Sequence, residues 1–381
     1  MDLEGYRARI DGVDDELLRL FQERKNISRE IAQYKKEAGL PVLHPGRERE
    51  KLFAMGEKAG EDIRSYAHML FLMLFELSRA YQGSLLNQES ELKKTILEAA
   101  EKTERVFPQR ALVACQGVEG TYSQIACDRL FNEPNILYFT SFDAVFSSIR
   151  DGLCQYGILP LENSTAGSVN MVYDLMMRYS FKIVRSVRIK IDHNLLTRPG
   201  VKKDDIREIF SHEQAIQQCA GYLKGLGADV KITAVANTAQ AAKMVAESDR
   251  EDVAALASRS CCDLYDLKCA DSSVQDKGSN FTRFICISKD LEIYPGAEQT
   301  SIMLTTAHKP GALYNVLGRI YTHGVNVVKL ESRPIPDRNF EFMFYFDLET
   351  SIYSKKFIQL MCELESMCEA FQYLGSYSEV L

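Results

Sequence analysis

An apolar seam near the start of the chain constrains the fold more than any other feature of the sequence. Its ten positions follow alternating steps of three and four residues, the heptad spacing of a coiled coil. They are Leu3, Tyr6, Ile10, Val13, Leu17, Leu20, Arg24, Ile27, Ile31 and Tyr34. The pattern predicts one helix of about 35 residues, roughly 50 Å long, ending near Gly39. Two shorter helices of the same chain could not cover so long a seam, so we expect an intertwined homodimer, with a higher homo-oligomer left open.

The pattern of the chain changes twice more, which predicts a multidomain protein in 381 residues. An all-α domain at residues 1–83 is followed by a polar helical linker at 84–110. Short β-rich runs then alternate with helices over 111–289, which predicts an α/β domain of largely parallel sheets in two lobes with a cleft between them. Residues 297–381 give the βαββαβ order of a ferredoxin-like α+β domain.

Charge and composition exclude several classes of function. The net charge is −7 and the cationic residues are interspersed with acids, so no nucleic-acid partner is expected. No apolar run approaches the roughly 20 residues of a membrane span, and the polar N-terminus does not resemble a signal peptide. We therefore expect a cytoplasmic protein with no membrane partner. The ten cysteines show no metal-ligand spacing, which predicts core thiols and no metal site.

Arg24 is the one charged member of the seam, and a buried guanidinium needs a partner. A buried ion pair or a register-fixing contact would explain it, and so would an anionic ligand inside the helical domain. Lys35 lies about 20° around the helix and about 16 Å along it, so both cations could hold one small molecule. Arg7 is roughly 25 Å away and could reach only a partner's pocket. Ser78 and Gln82 share one face of a later helix.

Six polar residues of the helical segment resemble the site of the all-helical chorismate mutase family, over residues 1–83. They are Arg7, Arg24, Lys35, Glu48, Ser78 and Gln82. The resemblance implies that Arg24, with Arg7 of the other protomer, would hold the two carboxylates of chorismate, and that Ser78 would assist at one of them. Lys35 and Gln82 would act as catalytic residues at the ether oxygen. Glu48 would accept the ring hydroxyl.

The implied reaction is the Claisen rearrangement of chorismate to prephenate. It is unimolecular, so it needs no cofactor, and catalysis consists of holding a compact conformer and stabilising charge on the ether oxygen. His44 stands where bifunctional relatives would have an acidic residue, so no role is carried over to it.

Four motifs of the α/β segment resemble prephenate dehydratase over residues 111–289 when taken in order. They are GTYS (120–123), PLENS (160–164), SHEQA (211–215) and NFTRF (280–284). The resemblance implies two lobes like those of a periplasmic binding protein, with Thr282 as the catalytic threonine. A threonine hydroxyl is a weak acid, so we expect it to donate or relay a hydrogen bond. Five residues would contact prephenate: Asn163, Ser164, Thr165, Gln214 and Arg283. For Arg283, a structural ion pair is an equal alternative.

Two motifs of the last segment resemble the ACT domain of phenylalanine-sensitive dehydratases, over about 297–381. They are GAL, with Gly311, Ala312 and Leu313, and ESRP, with Glu331, Ser332 and Arg333. The resemblance implies that L-phenylalanine binds at a dimer interface and inhibits the enzyme. The alternative is a ferredoxin-like domain that only dimerises.

The sequence therefore predicts a bifunctional enzyme that makes phenylpyruvate from chorismate by way of prephenate, under phenylalanine feedback. Two other interpretations stay open. The second domain could prefer arogenate, or the chain could be a non-catalytic two-lobed amino-acid sensor with a coiled-coil dimeriser. The sensor would not explain why the cations of the helical segment are spaced for one anionic ligand.

Overall fold

A computed structural model describes residues 2–86, 90–227, 229–335, 341–354 and 356–381. The chain forms two compact units. The first comprises Met1–Glu98, Thr305–Val325 and Tyr353–Phe371, and the second comprises Ala99–Leu304, Asn326–Ile352 and Gln372–Leu381. The predicted C-terminal domain at 297–381 thus contributes residues to both units. Residues 87–89 of the predicted linker and Lys355, the predicted start of the last helix, lie outside the described residues.

The helices and strands alternate along most of the chain after residue 111. The helices are α1 (Leu3–Ala38), α2 (Pro45–Ala59), α3 (Arg64–Leu86), α4 (Glu91–Lys102), α5 (Tyr122–Leu130), α6 (Phe142–Arg150), α7 (Asn170–Tyr179), α8 (Glu213–Gln218), α9 (Ala220–Gly225), α10 (Thr238–Ala246), α11 (Ser260–Tyr265), α12 (Ala312–Thr322) and α13 (Phe357–Met367). The strands are β1 (Leu112–Gln116), β2 (Asn135–Phe139), β3 (Tyr156–Asn163), β4 (Gly167–Ser168), β5 (Lys182–Lys190), β6 (Asn194–Thr197), β7 (Glu208–His212), β8 (Lys231–Val235), β9 (Val253–Ala257), β10 (Lys268–Asp271), β11 (Phe281–Ser288), β12 (Gln299–Thr305), β13 (Asn326–Pro334), β14 (Phe342–Glu349), β15 (Ala370–Tyr377) and β16 (Glu379–Val380). A short 3-10 helix covers Lys203–Asp205.

The first helix has the length that the heptad seam predicts. Asp2 caps its start by accepting from the Gly5 amide at 2.9 Å, and Gly39, with φ 63°, ends it in the left-handed conformation. α1 packs against α3, which also contacts α2. The nine apolar seam residues nevertheless stay 41–66% exposed in the single chain. The seam is therefore an apolar surface that this chain does not cover itself.

Two sheets form the α/β part of the second unit. In the described residues, the first sheet has the order β16-β5-β11-β3-β1-β2, with β4 beside β3, and the second has the order β10-β6-β9-β7-β8. The two sheets agree with the predicted lobes, but the prediction of largely parallel sheets is wrong. β11 runs antiparallel between β3 and β5, and β6 runs antiparallel to both β9 and β10. The chain leaves the first sheet after β5 and returns through β11, which reverses the strand direction.

The strands of the C-terminal segment form a sheet of order β13-β14-β12-β15, in which β13 and β14 run antiparallel. The elements of this segment follow the predicted βαββαβ order. Met303, Tyr345 and Leu374 of this sheet share a buried cluster with Leu159 and Ile285 of the first α/β sheet. The two sheets therefore have a common core in the second unit. Among the described residues, no helix is both long enough and apolar enough to cross a bilayer.

Candidate functional sites

Arg24 and Ser78 meet between α1 and α3 in the first unit. The Arg24 guanidinium donates to Ser78 Oγ and, at 2.8 Å, to the Leu74 carbonyl, and Ser28 Oγ lies 3.2 Å from Ser78 Oγ. Desolvation lowers the pKa of Arg24, which still leaves it charged at neutral pH. No carboxylate pairs with Arg24 in the described part of the chain. Because only neutral acceptors hold it, its charge can meet an anionic ligand.

A cleft of about 290 Å³ opens beside Arg24 and Ser78. Its other wall comes from α12 and α13 and includes Arg319, His323 and Glu363. Glu363 lies 3.4 Å from the Arg319 guanidinium and 3.1 Å from His323 Nε2. Burial alone would raise the pKa of Glu363, but its hydrogen bonds and the nearby cations lower it overall. The Glu363 carboxylate is therefore already paired with Arg319 and His323 on its own side of the cleft.

The other polar residues predicted for the helical site are spread over three places. Lys35 is half-buried and donates to the Val42 carbonyl at 2.5 Å. Gln82 is buried, and its Oε1 has no hydrogen-bond partner among the described residues. Arg7 is exposed on α1. His44, whose role the resemblance left open, caps α2 by accepting from the Arg47 amide at 3.1 Å.

Glu48 is held by Arg79, a residue that sequence reasoning missed. One guanidinium nitrogen of Arg79 donates to both carboxylate oxygens of Glu48, and the other pairs with Glu76. Glu76 also accepts from the Asn315 amide of α12 at 3.1 Å. The sequence signal for Arg79 is weak, because its spacing from Glu76 is that of any surface ion pair on a helix.

Thr282 of the α/β domain lies opposite Asn163 where β11 pairs with β3. Asn163 Nδ2 donates to Thr282 Oγ1 at 2.9 Å and to Asn280 Oδ1 at 2.8 Å. Asn163 Oδ1 accepts from the Thr165 amide, the Thr165 hydroxyl and the Ala166 amide at 2.7–3.0 Å. These contacts fix which way the amide points. Both Asn163 and Thr282 are buried.

A chain of amides extends this pair to residues that the sequence did not single out. Asn280 Nδ2 donates to Gln218 Oε1 at 2.8 Å, and Gln218 Nε2 donates to the Thr165 hydroxyl at 3.2 Å. His193 Nε2 lies 2.9 Å from Gln218 Oε1 and must donate to it. Desolvation lowers the pKa of His193, so the ring is neutral at physiological pH. Thr282 is therefore linked through Asn163 and Asn280 to Gln218 of α8 and to His193, which lies between β5 and β6.

Two of the residues predicted to contact prephenate are placed differently from Asn163. Gln214 is exposed and lies one helical turn before Gln218, which takes the position in the network. Ser164 is exposed and accepts from the Phe281 amide at 3.0 Å. Gln218 follows the SHEQA motif by three residues, so helical periodicity from Gln214 was the available signal.

Arg283 points away from Thr282, because successive side chains on a strand face opposite sides of the sheet. It pairs with Asp347 of β14, and both side chains are at least 97% buried. Glu162 lies 3.2 Å away on the same side. The acids raise the pKa of Arg283 in spite of the opposing effect of desolvation. The structure thus places Arg283 in an ion pair, the alternative that the sequence left open.

The residues predicted for phenylalanine binding lie in both units. In the first unit, Gly311 precedes α12 with φ 83°, and Ala312 and Leu313 form the first turn. In the second unit, Glu331 accepts from Ser168 Oγ at 2.5 Å, Arg333 donates to Asp174 at 2.9 and 3.0 Å, and Ser332 is exposed. The two charged residues of ESRP therefore contact the α/β part of the second unit.

No group of three or more His, Cys, Asp or Glu side chains in the described ranges could hold a metal ion.

Two family models match this chain. The model for chorismate mutase type II matches residues 6–83, and the model for prephenate dehydratase matches residues 113–292. Bifunctional chorismate mutase/prephenate dehydratases are similar over the whole length. The Enterobacter agglomerans enzyme is 30% identical over 384 residues, covering 98% of this chain and 95% of the relative. The Aquifex aeolicus enzyme is 29% identical over 383 residues, covering 100% and 99%.

Other relatives match about three quarters of the chain. Arogenate dehydratase/prephenate dehydratase 2 of Arabidopsis thaliana is 32% identical over 312 residues, covering 78% of this chain and 81% of the relative. Among solved structures, the quorum-quenching acylase GqqA is 31% identical with a TM-score of 0.63, covering 70% of this chain and 97% of that one. Prephenate dehydratase of Arthrobacter aurescens in complex with L-Phe has the same fold, with a TM-score of 0.64, 24% identity and coverages of 70% and 89%.

These matches favour an enzyme over a non-catalytic sensor. The chain carries chorismate mutase and prephenate dehydratase activities and acts on chorismate and prephenate. It belongs to the bifunctional chorismate mutase/prephenate dehydratase family.

Proposed function

We propose that residues 1–83 rearrange chorismate to prephenate, that residues 111–289 convert prephenate to phenylpyruvate, and that L-phenylalanine inhibits the enzyme through residues 297–381. One observation carries the assignment of the catalytic groups. Asn163 donates to Thr282 Oγ1, so the hydroxyl hydrogen of Thr282 is left to donate elsewhere.

In the mutase site, Arg24 holds a carboxylate of chorismate and Ser78 assists. The support is a guanidinium that has only neutral partners and lines a cleft. Lys35 and Gln82 donate to the ether oxygen as its bond breaks. The support is that both side chains can donate and that Gln82 is buried on α3, one helical turn after Ser78. Glu48 accepts the ring hydroxyl.

A second copy of the chain covers the seam of α1 and supplies Arg7. The support is the exposure of all nine apolar seam residues along a 36-residue helix. Mixing Arg7→Ala chains with Arg24→Ala chains tests this. In a mixed dimer one site regains both arginines, so random exchange restores about a quarter of the mutase activity. No recovery in demonstrably mixed dimers would exclude a shared site.

In the dehydratase site, Thr282 donates a hydrogen bond to the departing ring hydroxyl of prephenate. The bond between the ring and its carboxylate breaks, CO₂ leaves, and the electron pair of that bond completes the aromatic ring as the bond between the ring and its hydroxyl breaks. The hydroxyl leaves as water with a proton that comes from solvent. Asn163 and Thr165 line the site, with Ser164 and Gln214 at its exposed edge. A weak acid suffices because aromatisation supplies the driving force.

Phenylalanine feedback rests on the GAL and ESRP motifs and on the L-Phe complex of the Arthrobacter aurescens enzyme. Arogenate as the preferred second substrate is the alternative, since similar Arabidopsis proteins are named for both substrates.

The test is an assay of the purified chain with chorismate, with prephenate and with arogenate, each with and without L-phenylalanine and with no cofactor added. Prephenate and then phenylpyruvate are expected from chorismate, and phenylalanine is expected to suppress the second step. Faster turnover of arogenate would decide for the alternative. If phenylalanine slows neither reaction, feedback inhibition is excluded.

A further inference from the structure

Two adjacent pairs of residues cross from β3 to β11 at the dehydratase site. Asn163 lies opposite Thr282, and Glu162 lies opposite Arg283. Because neighbouring side chains on a strand point to opposite faces, Asn163 and Thr282 face the polar network while Glu162 and Arg283 face the other side. The backbone of the proposed catalytic pair is therefore continuous with a second, charged pair behind it.

The charged pair is bound by the C-terminal sheet. Arg283 forms an ion pair with Asp347 of β14, with side-chain exposures of 3% and 1%. Glu162 forms an ion pair with Lys329 of β13, whose side chain is 14% exposed. Asp347 also accepts from Ser301 Oγ of β12 at 2.5 Å, which ties it to a third strand of that sheet.

These contacts hold the catalytic strands more firmly than an isolated surface ion pair would. Buried, charge-assisted hydrogen bonds have strict geometry, and a partner that moves leaves an uncompensated charge in the interior. A shift of Asp347 or Lys329 would accordingly be transmitted to Arg283 and Glu162. Their backbone neighbours Thr282 and Asn163 would move with them.

We propose that Arg283 and Glu162 are positioning residues which, held by Asp347 and Lys329 of the C-terminal sheet, fix the alignment of Asn163 with Thr282. The C-terminal sheet is thereby part of the support of the dehydratase site. The inference rests on the proposed role of Thr282.

The test compares Asp347→Asn with Lys329→Met in the full-length chain. The mutase rate of the same chain, measured as loss of chorismate, reports the amount of folded enzyme, since the first unit contains neither residue. Each substitution is expected to lower the kcat of prephenate dehydration by about 10-fold, with KM and the mutase rate nearly unchanged, because misalignment affects the reaction more than binding.

Lys182→Met is the matched control. Lys182 of β5 donates to the Tyr373 carbonyl of β15 at 2.7 Å, so it also joins the two sheets, but away from the catalytic pair. Its removal is expected to lower stability and to leave the dehydratase kcat unchanged. An equal loss of kcat in all three variants would mean that any weakened contact between the two sheets impairs the dehydratase, with no special role for Arg283 and Glu162, which would overturn the proposal.

A double variant separates positioning from a general structural effect. In an Asn163→Ala background the alignment is already lost, so adding Asp347→Asn should lower kcat no further. The inference would be overturned if the kcat losses of Asn163→Ala and Asp347→Asn multiplied in the double variant. It would also be overturned if Asp347→Asn and Lys329→Met both had a normal kcat. If Asp347→Asn does not fold, Lys329→Met decides. The proposed function would fail separately, through a Thr282→Val variant that still makes phenylpyruvate.

Discussion

Asn163 Nδ2 donates to Thr282 Oγ1 over 2.9 Å, and the opposite end of the Asn163 amide is occupied by three donors. The amide therefore cannot turn over without losing those three hydrogen bonds. Thr282 Oγ1 accepts the hydrogen bond from Asn163, so the Thr282 hydroxyl hydrogen is available to donate to the substrate.

Replacing Asn163 should disable the dehydratase by reversing this hydrogen bond. In Asn163→Asp a carboxylate oxygen stands where the donor was, so the Thr282 hydroxyl donates to it rather than to the leaving group. We expect the dehydratase kcat to fall by about 10²-fold. The mutase rate of the same chain serves as control, and Thr282→Ser, which keeps the hydroxyl, should retain much more activity than Thr282→Val. A dehydratase kcat near the native value in Asn163→Asp would contradict this orientation.

The partners of Thr282 show what sequence patterns can and cannot predict. Thr282 and Asn163 lie in motifs, and both were predicted. Asn280 begins the NFTRF motif but was given no role, and Gln218 and His193 were missed, because contacts between segments distant in the chain bring the three together. Gln218 and Asn280, for example, are 62 residues apart in the chain. A local pattern contains no information on such pairing, and Gln214, the predicted glutamine, differs from Gln218 by only one helical turn.

The same limit explains which parts of the fold could be predicted from the sequence. The heptad seam and the Gly39 cap predicted α1 almost to the residue, because both signals are local. Strand order is set by contacts across the sheet, so the antiparallel insertion of β11 could not be read from its apolar run. The placement of Arg283 followed from that insertion, since its partner Asp347 is 64 residues away.

Removing Arg79 should impair the mutase alone. Glu48 would lose the guanidinium that binds both of its oxygens, and its carboxylate would no longer be held for the ring hydroxyl. We expect Arg79→Met to lower the mutase kcat/KM by about 10-fold, with the dehydratase unaffected.

Arg64→Gln is the control for Arg79. Arg64 and Glu57 also join α3 to α2, but both are largely exposed and 3.0 Å apart. Such a pair contributes about 0–1 kcal/mol and should not affect turnover. Equal losses in the two variants would mean that the Glu48 contact has no special role.

His193 should make the protein less stable in acid. Burial lowers its pKa in the folded state, while the unfolded chain has the ordinary value of about 6.5. Below that pH the unfolded state binds a proton that the native state does not, so this stability term is lost as the pH falls from about 6.5 towards the lowered folded pKa. His193→Gln removes the effect.

Urea unfolding at about pH 7.5 and about pH 5 measures it. The other titrating groups are common to both proteins, so the difference between them isolates His193. The variant should lose less stability than the native chain over this interval. An equal loss of stability in the native chain and in His193→Gln would mean that folding does not lower the pKa of His193.

Gly375 should resist substitution because β15 and β5 approach closely there. A Cβ on Gly375 would lie 2.3 Å from the Ile183 carbonyl oxygen, and the φ of 141° is one that other residues rarely adopt. Since the obstructing atom belongs to the backbone, Gly375→Ala should destabilise the second unit by about 1–3 kcal/mol. Gly318→Ala in α12 is the control, because its Cβ would meet nothing within 4 Å and alanine favours a helix by up to about 1 kcal/mol. Hydrogen exchange at the β5 and β15 amides measures the change, and equal protection in Gly375→Ala and the native chain would show that the two strands do not approach this closely in solution.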